Sequence, residues 1–322
     1  MDRQARQAYL RRLRYVGAMR AIGGALVVTL ALLSAGCSAN GNPLDTGEEA
    51  GNGRTVTIGS QGFPESEILA QLYGQVLEDA GYSVEYDLSI GSREVFLAAL
   101  REGSIDLVPD YAGNLLYGSD KNAAATTIED IQSALPAVLE PLGLEVLHPA
   151  EAEDADALVV TSSFAAANNL VSIGDLAPIA STITIGANSG FQTRWLDGLN
   201  ATYGVTGLSF KAIEDYGGAG TLKDLLDNVI QVADIYTTTP SITENDLVVL
   251  EDPENLIAAQ NVIPLLDTDL YSDELAGLLN AVSAVLTTSD LTDLNALYAG
   301  EDKPSAADVA TQWLTAKGFL SR

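Results

Sequence analysis

Four short stretches carry the side chains with which this chain could hold a small molecule. They are Gly59-Ser60-Gln61-Gly62-Phe63, Pro109-Asp110-Tyr111-Ala112-Gly113-Asn114, Ala187-Asn188-Ser189-Gly190-Phe191 and Tyr236-Thr237-Thr238-Thr239-Pro240-Ser241. Each places hydroxyl, amide or phenol groups beside glycine or proline, directly after an apolar, strand-like run. The chemistry this offers is noncovalent capture, with donors and acceptors for a polar solute and free helix N–H groups for an anionic end. Covalent chemistry has no such support. The single histidine, His148, has neither a second His nor a Cys with which to build a zinc-type cluster, and it reads as a structural residue. No G-x-S-x-G elbow, P-loop or H-E-x-x-H motif occurs. Gly217-Gly218-Ala219-Gly220 lacks the Lys-Ser/Thr end of a phosphate loop and reads as a flexible turn. No enzyme and no cofactor are expected.

These loops need strands and helices to hold them in place. Residues 55–59 read as a strand, and 64–80 as a helix with Pro64 at its start, Gly81 at its end and Ile68, Leu69, Leu72, Val76 and Leu77 at helical spacing. Residues 84–88 alternate like a strand, Ser92 is placed to cap a helix through Leu100, and 105–108 form the next strand, ended by Pro109. This strand–helix alternation predicts a parallel sheet with helices on both faces. Further strands are expected at 157–161, 182–187, 208–212, 232–236 and 247–251, with helices at 191–203 and 222–230 between them. After 262–266 the pattern turns helical, over 272–287, 291–298 and 305–317. A strandless tail suggests a chain that returns to cover its first lobe. The expectation is α/β with two lobes joined by two crossings; a single doubly wound sheet is the alternative. In such sheets ligands bind beyond the carboxyl ends of the strands, where the four loops lie.

The first residues are read as leader rather than fold. Six arginines precede an apolar run from Ala21 to Gly36, which is short for a permanent membrane span of ~20 residues. The run stops at Leu33-Ser34-Ala35-Gly36-Cys37, which resembles a lipobox. Residues 1–36 are expected to be a lipoprotein signal peptide, Cys37 to be lipidated, and 37–54 to form a flexible tether. The body then sits at the outer face of the cell membrane. Cys37 is the only cysteine, which excludes intrachain disulfides. The net charge of −28 grows more negative once the leader arginines are set aside. Phosphate binding needs clustered Lys and Arg, so nucleic acid is not a partner.

Several blocks, in order and spacing, resemble one family: the substrate-binding proteins of ABC importers for glycine betaine, choline and related osmoprotectants, of the OpuAC-like type and most like the lipoprotein forms of actinobacteria. The blocks are Ile58-Gly59-Ser60-x-x-Phe63-x-Glu65; Gly103-x-Ile105-Asp106-Leu107-x-Pro109-Asp110-Tyr111-x-Gly113; Phe191-Gln192-Thr193-Arg194 with Asp197-Gly198-Leu199; and 232–238. The resemblance spans most of 55–320. It implies a type II periplasmic-binding fold with a ligand cleft between two lobes, and a membrane permease with its ATPase as partner. It implies an aromatic box for a quaternary ammonium, with Tyr111 and Tyr236 as box tyrosines, Arg194 on the ligand carboxylate and Asn114 beside it. Gln61 stands where relatives often carry Lys, next to Ser60, and Ser66 where they often carry Gln. Asp156 and Gln260 stand where two further tyrosines are expected. A carboxylate at 156 favours a cation by charge; equally, the site can be tuned to a neutral or zwitterionic polar solute such as an amino-acid derivative. The crossings are expected near Asp156 and Gln260, giving one lobe of 55–156 plus 261–322 and another of 157–260. A monomer is expected, with Phe63, Phe191 and Trp195 in the core, and Tyr111→Ala is expected to abolish binding with little loss of fold.

Overall fold

The computed structural model describes residues 55–320; the leader, Cys37 and the tether lie outside them. The chain begins β1 (Thr55–Gln61), α1 (Pro64–Asp79), β2 (Ser83–Gly91), α2 (Arg93–Arg101), β3 (Leu107–Tyr111), α3 (Ala112–Ser119), α4 (Ile128–Leu139) and β4 (Leu144–Val146). It continues β5 (Leu158–Thr161), α5 (Ser162–Asn168), β6 (Thr184–Ala187), α6 (Ser189–Tyr203), β7 (Ser209–Ala212), α7 (Ala219–Leu226), β8 (Val232–Asp234), α8 (Ser241–Glu244) and β9 (Leu247–Val249). β10 (Val262–Asp267) and the helices α9 (Asp273–Ser283), α10 (Thr288–Ala299) and α11 (Ala306–Lys317) follow.

The strands build two five-stranded sheets, ordered β2-β1-β3-β10-β4 and β7-β6-β8-β5-β9. β1 runs parallel to β2 and β3, as successive helical crossovers require. The alternation did not reveal the strands that run the other way. β10 is antiparallel to β3 and β4, and β5 to β8 and β9. Each follows a passage from the other sheet, so it enters its own sheet from the opposite end.

Pro109 does not end its ladder. It lies inside β3, directly opposite Pro264 of β10. Pro264 turns its carbonyl to Leu147 N on the far side, at 3.0 Å. The two prolines therefore form a pair that exchanges no hydrogen bonds, and their missing N–H groups cost the β3–β10 ladder nothing. β1 likewise outruns its expected end at Gly59, taking Ser60 and Gln61 into the strand.

The first sheet is packed on one face by α1 and α9–α11, through Ile58, Leu69, Leu72, Tyr73, Leu279 and Trp313. Its other face is covered through Phe96, Leu100, Leu115, Ile131 and Leu135. Each such side chain contributes ~1.5–3 kcal/mol by leaving water. The second sheet has its own cores, with Ile173, Ile185, Phe191 and Leu199 on one face and Leu225, Ile230 and Ile242 on the other.

The chain passes between the sheets twice, through residues 147–157 and 250–261, and the two passages are hydrogen-bonded to each other. Glu153 bridges Asn261 in antiparallel sense. Asp154 N donates to Gln260 O at 3.2 Å, and Val262 N to Ala152 O at 2.9 Å. Thr237, just past β8, fastens on from the second sheet. Its N–H donates to Ala155 O at 3.0 Å, while its hydroxyl donates to Glu153 O and accepts from Ala155 N, both at 3.1 Å.

Candidate functional site

The end of β3 delivers Tyr111 to the passage between the sheets. Its hydroxyl donates to Glu65 Oε1 at 2.6 Å, and its ring stacks on Phe63 with centroids 6.2 Å apart. Glu65 sits in the first turn of α1, where the helix dipole favours an anion. Asn295 Nδ2 of α10 donates to Glu65 Oε2 at 2.6 Å and to Thr238 O at 3.3 Å, so one amide ties α1 to a loop of the second sheet. The Thr238 hydroxyl donates to Asp154 Oδ1 at 2.9 Å. Burial and then the charge of Glu65 push the Asp154 carboxyl well above the usual range, against the pull of Thr238. The same two causes raise the Tyr111 phenol.

A second cluster surrounds Asp156. Arg194 Nη2 lies 3.2 Å from its carboxylate, and the Trp195 indole N–H donates to Oδ2 at 3.2 Å. Both partners ride on α6, which starts at Asn188, whose side chain caps the helix by accepting from Phe191 N at 2.9 Å. Arg194 also lies over the Trp195 ring, 5.5 Å from its centroid. Behind Asp156 stands Asp234, the last residue of β8 and only 3% exposed. Its Oδ2 takes a long bond from Asn188 Nδ2 at 3.4 Å, while its Oδ1 finds no protein donor. Burial, then the neighbouring Asp156, push its pKa up to about 8, with Arg194 pulling the other way. Tyr236 lies close enough to feel the same charges; burial first, then Asp156 and Asp234, raise its phenol.

The remaining sequence-selected residues divide. Asn114, in the first turn of α3, donates its backbone N–H to Gln260 Oε1 at 3.0 Å, and Gly113 N donates to Ala259 O at 3.0 Å. These two bonds pin the second passage to the end of β3. Ser60 and Gln61 are drawn into the first sheet. The Ser60 hydroxyl accepts from Ser89 N at 2.8 Å and donates to Gln61 O at 3.1 Å. Gln61 Nε2 donates to Asp110 Oδ1 at 3.0 Å, and Arg93 clamps the same buried carboxylate at 2.6 and 2.8 Å. Cys37 lies outside the described residues.

A cavity of about 410 Å³ opens between the sheets, lined by Asn114, Arg194, Trp195 and Gln260 among others. A smaller one, about 280 Å³, is lined by both passages and includes Asp156.

Sequence reasoning missed Glu65, Asp154, Asp234, Asn295 and Trp195 as members of the site. Asp154 and Asp156 sit two apart in an extended segment, a spacing that puts both on one face. In a chain with 44 acidic residues that signal has no contrast. Trp195, expected in the core, is only partly buried and holds Asp156. Phe191 is fully buried. His148 is exposed, its backbone N–H donating to Asn280 Oδ1 at 2.9 Å. The glycine stretch 217–220 opens α7, and its amides at Gly220 and Thr221 are taken by Asp215, at 2.7 and 3.0 Å. No group of His, Cys, Asp or Glu among the described residues is arranged to hold a metal ion.

Residues 54–316 match the family described as the substrate binding domain of ABC-type glycine betaine transport system. The glycine betaine-binding protein YehZ of Escherichia coli (strain K12) is 26% identical over 278 residues, covering 82% of this chain and 91% of that protein. The apo structure of the E. coli YehZ protein superposes with a TM-score of 0.70 at 25% identity, over 83% of this chain and 99% of that one. A crystal structure of a glycine betaine/carnitine/choline ABC transporter gives 0.74 at 21% identity, over 82% and 99%. The fold is that of the type II periplasmic-binding proteins.

Proposed function

The chain belongs to the family of substrate-binding domains of ABC-type glycine betaine transport systems, and from that premise we propose that it is a receptor for a small compatible solute with a quaternary ammonium head, such as glycine betaine or choline. It hands this solute to a membrane permease with its ATPase, and it performs no chemistry on it. The observation that carries the reading is the buried acid and phenol grouping at the passage: Asp156 and Asp234 beside Tyr236, with Asp154 and Glu65 beside Tyr111. A trimethylammonium group has no proton to donate, so it is held by π faces and negative potential. Among the proposed ligand residues Arg194 is the one cation, suited to a ligand carboxylate. Asn114 and Gln260 flank it, while Ser60 and Gln61 act from behind by fixing β1 and Asp110.

The lobes in this reading are 55–156 with 261–322, and 157–260. They close by bending at the paired passages, and closure is what the permease recognises. The receptor is a monomer held to the outer face of the membrane by lipid on Cys37.

A neutral or zwitterionic polar solute is the second reading, favoured by the Arg194–Asp156 pair, which already balances one negative charge at the site. Calorimetry and thermal shift with glycine betaine, choline, proline betaine, ectoine and polar amino acids separate the two. Quaternary ammonium solutes are expected to bind and stabilise. Stabilisation by a neutral solute with none by any quaternary compound overturns the cation reading.

A further inference from the structure

The cavity of about 410 Å³ is larger than one trimethylammonium headgroup fills, and its lining is of a different kind from the acids beside it. Leu116, Ala123, Ala125 and Ala258 line it with the apolar rim of Leu256 and the ring of Trp195. It draws on both sheets' sides: Leu116 packs in the core of the first sheet, Trp195 and Leu256 against the second. Asn114, Thr126, Arg194 and Gln260 share the lining and can serve a ligand's polar end, while the alanine methyls and leucines offer no hydrogen bonds and suit an uncharged arm. Size, a mainly apolar lining with convergent polar groups and a place between lobes are the usual marks of a small-molecule site.

The cavity adjoins the charged site through a shared wall. Arg194 and Trp195, which line it, are the residues that hold Asp156 at 3.2 Å. Tyr111, Tyr236 and Asp234 are not in its lining, so it lies beside the group that receives the cation. Its rim has a polarity of its own. The half-exposed ring of Tyr117, also in the lining, carries the Lys121 ammonium 4.5 Å from its centroid. Positive charge at the rim and carboxylates behind the wall orient a cationic guest with its head toward Asp156 and its remainder in the cavity.

We propose that this cavity is a second subsite, taking an uncharged alkyl or acyl arm several carbons long carried by the quaternary ammonium ligand. The inference rests on the cationic reading of the function. It makes the preferred ligand an arm-bearing ammonium compound rather than the smallest betaine.

The test is calorimetry of the protein with a series of N-alkyl-N,N-dimethylglycines, from methyl to butyl. Affinity is expected to rise about fourfold for each methylene buried. Ala124→Trp, at an exposed position in the same lining, is expected to collapse the butyl-to-methyl ratio towards one. A flat or falling series in the unsubstituted protein, or a ratio indifferent to Ala124→Trp, overturns the subsite. If the methyl member binds and longer arms add nothing, the subsite alone falls; if no member binds, the cationic function falls with it.

Discussion

Asp234 Oδ1 is buried beside Asp156 without a protein donor, and burial, then the neighbouring Asp156 charge, favour the protonated form of Asp234. Asp234 titrates near 8, against 3.8 for a free carboxyl. The native state then holds a proton that the unfolded chain has already lost, and stability falls as pH climbs through that window. Thermal melts from pH 5 to 8 are expected to show a downward slope that Asp234→Asn flattens. An equal slope in both proteins contradicts a proton held on Asp234. A bound cation favours the fully ionised pair, so binding at pH 7 is expected to release a proton, seen as a calorimetric enthalpy that varies with the ionisation heat of the buffer.

Trp195 holds Asp156 through its indole N–H, and Trp195→Phe removes that bond while keeping a ring. A hydrogen bond to a charged group contributes about 1.5–3 kcal/mol. Affinity for a quaternary ammonium ligand is expected to drop because Asp156 is left less firmly oriented, and the melting temperature to fall by several degrees with the lost bond. Unaltered affinity in calorimetry removes Trp195 from the site.

The expectation that Tyr111→Ala spares the fold is corrected by its burial. The side chain is 4% exposed and stacked on Phe63, within the core that contains Ile58 and Leu72. Truncation there is expected to cost about 3–5 kcal/mol in denaturant unfolding, which makes loss of binding uninformative. Tyr111→Phe is the cleaner variant. It forfeits the bond to Glu65, about 1.5–3 kcal/mol, and retains the ring face. Quaternary ammonium binding is expected to survive it.

Gly113 is the point where the second passage touches the end of β3. A Cβ there comes within 2.6 Å of Ala259 O and 2.8 Å of Gln260 Nε2. Since the nearer atom is backbone, Gly113→Ala is expected to displace the passage, lowering stability by about 1–3 kcal/mol and weakening every ligand alike. Gly277 in α9 is the contrast. A Cβ there meets nothing within 4 Å, and Gly277→Ala is expected to stabilise by up to about 1 kcal/mol without touching affinity. Chemical denaturation of both variants checks the pair.

Local signals carried most of the elements. Proline at the start of α1, apolar spacing along it and the β-branched runs of β1, β5 and β6 are read directly from neighbours in sequence. What escaped depends on partners far along the chain. Pro109 is tolerated in β3 because the register with β10, more than a hundred residues later, puts it in a pair that exchanges no hydrogen bonds. The direction of β10 follows from the passage before it, not from its own composition. At the site, Tyr111 stands where the end of a strand puts it, but its hydroxyl partner Glu65 comes from another element. The pairing of Asp156 with Asp234 is written nowhere in a stretch of sequence that is acidic throughout.

The two sheets also differ in how much chain each must wait for. All five strands of the second come from one uninterrupted stretch, 158–249, whereas the first needs β10 and is closed by helices ending at Lys317. On a nascent chain emerging from its amino end, the second sheet has every strand while the first still lacks a central one. Both passages, and the acids they carry, are therefore set in their final places only by the last third of the sequence, so the binding site is the last part of the molecule to mature.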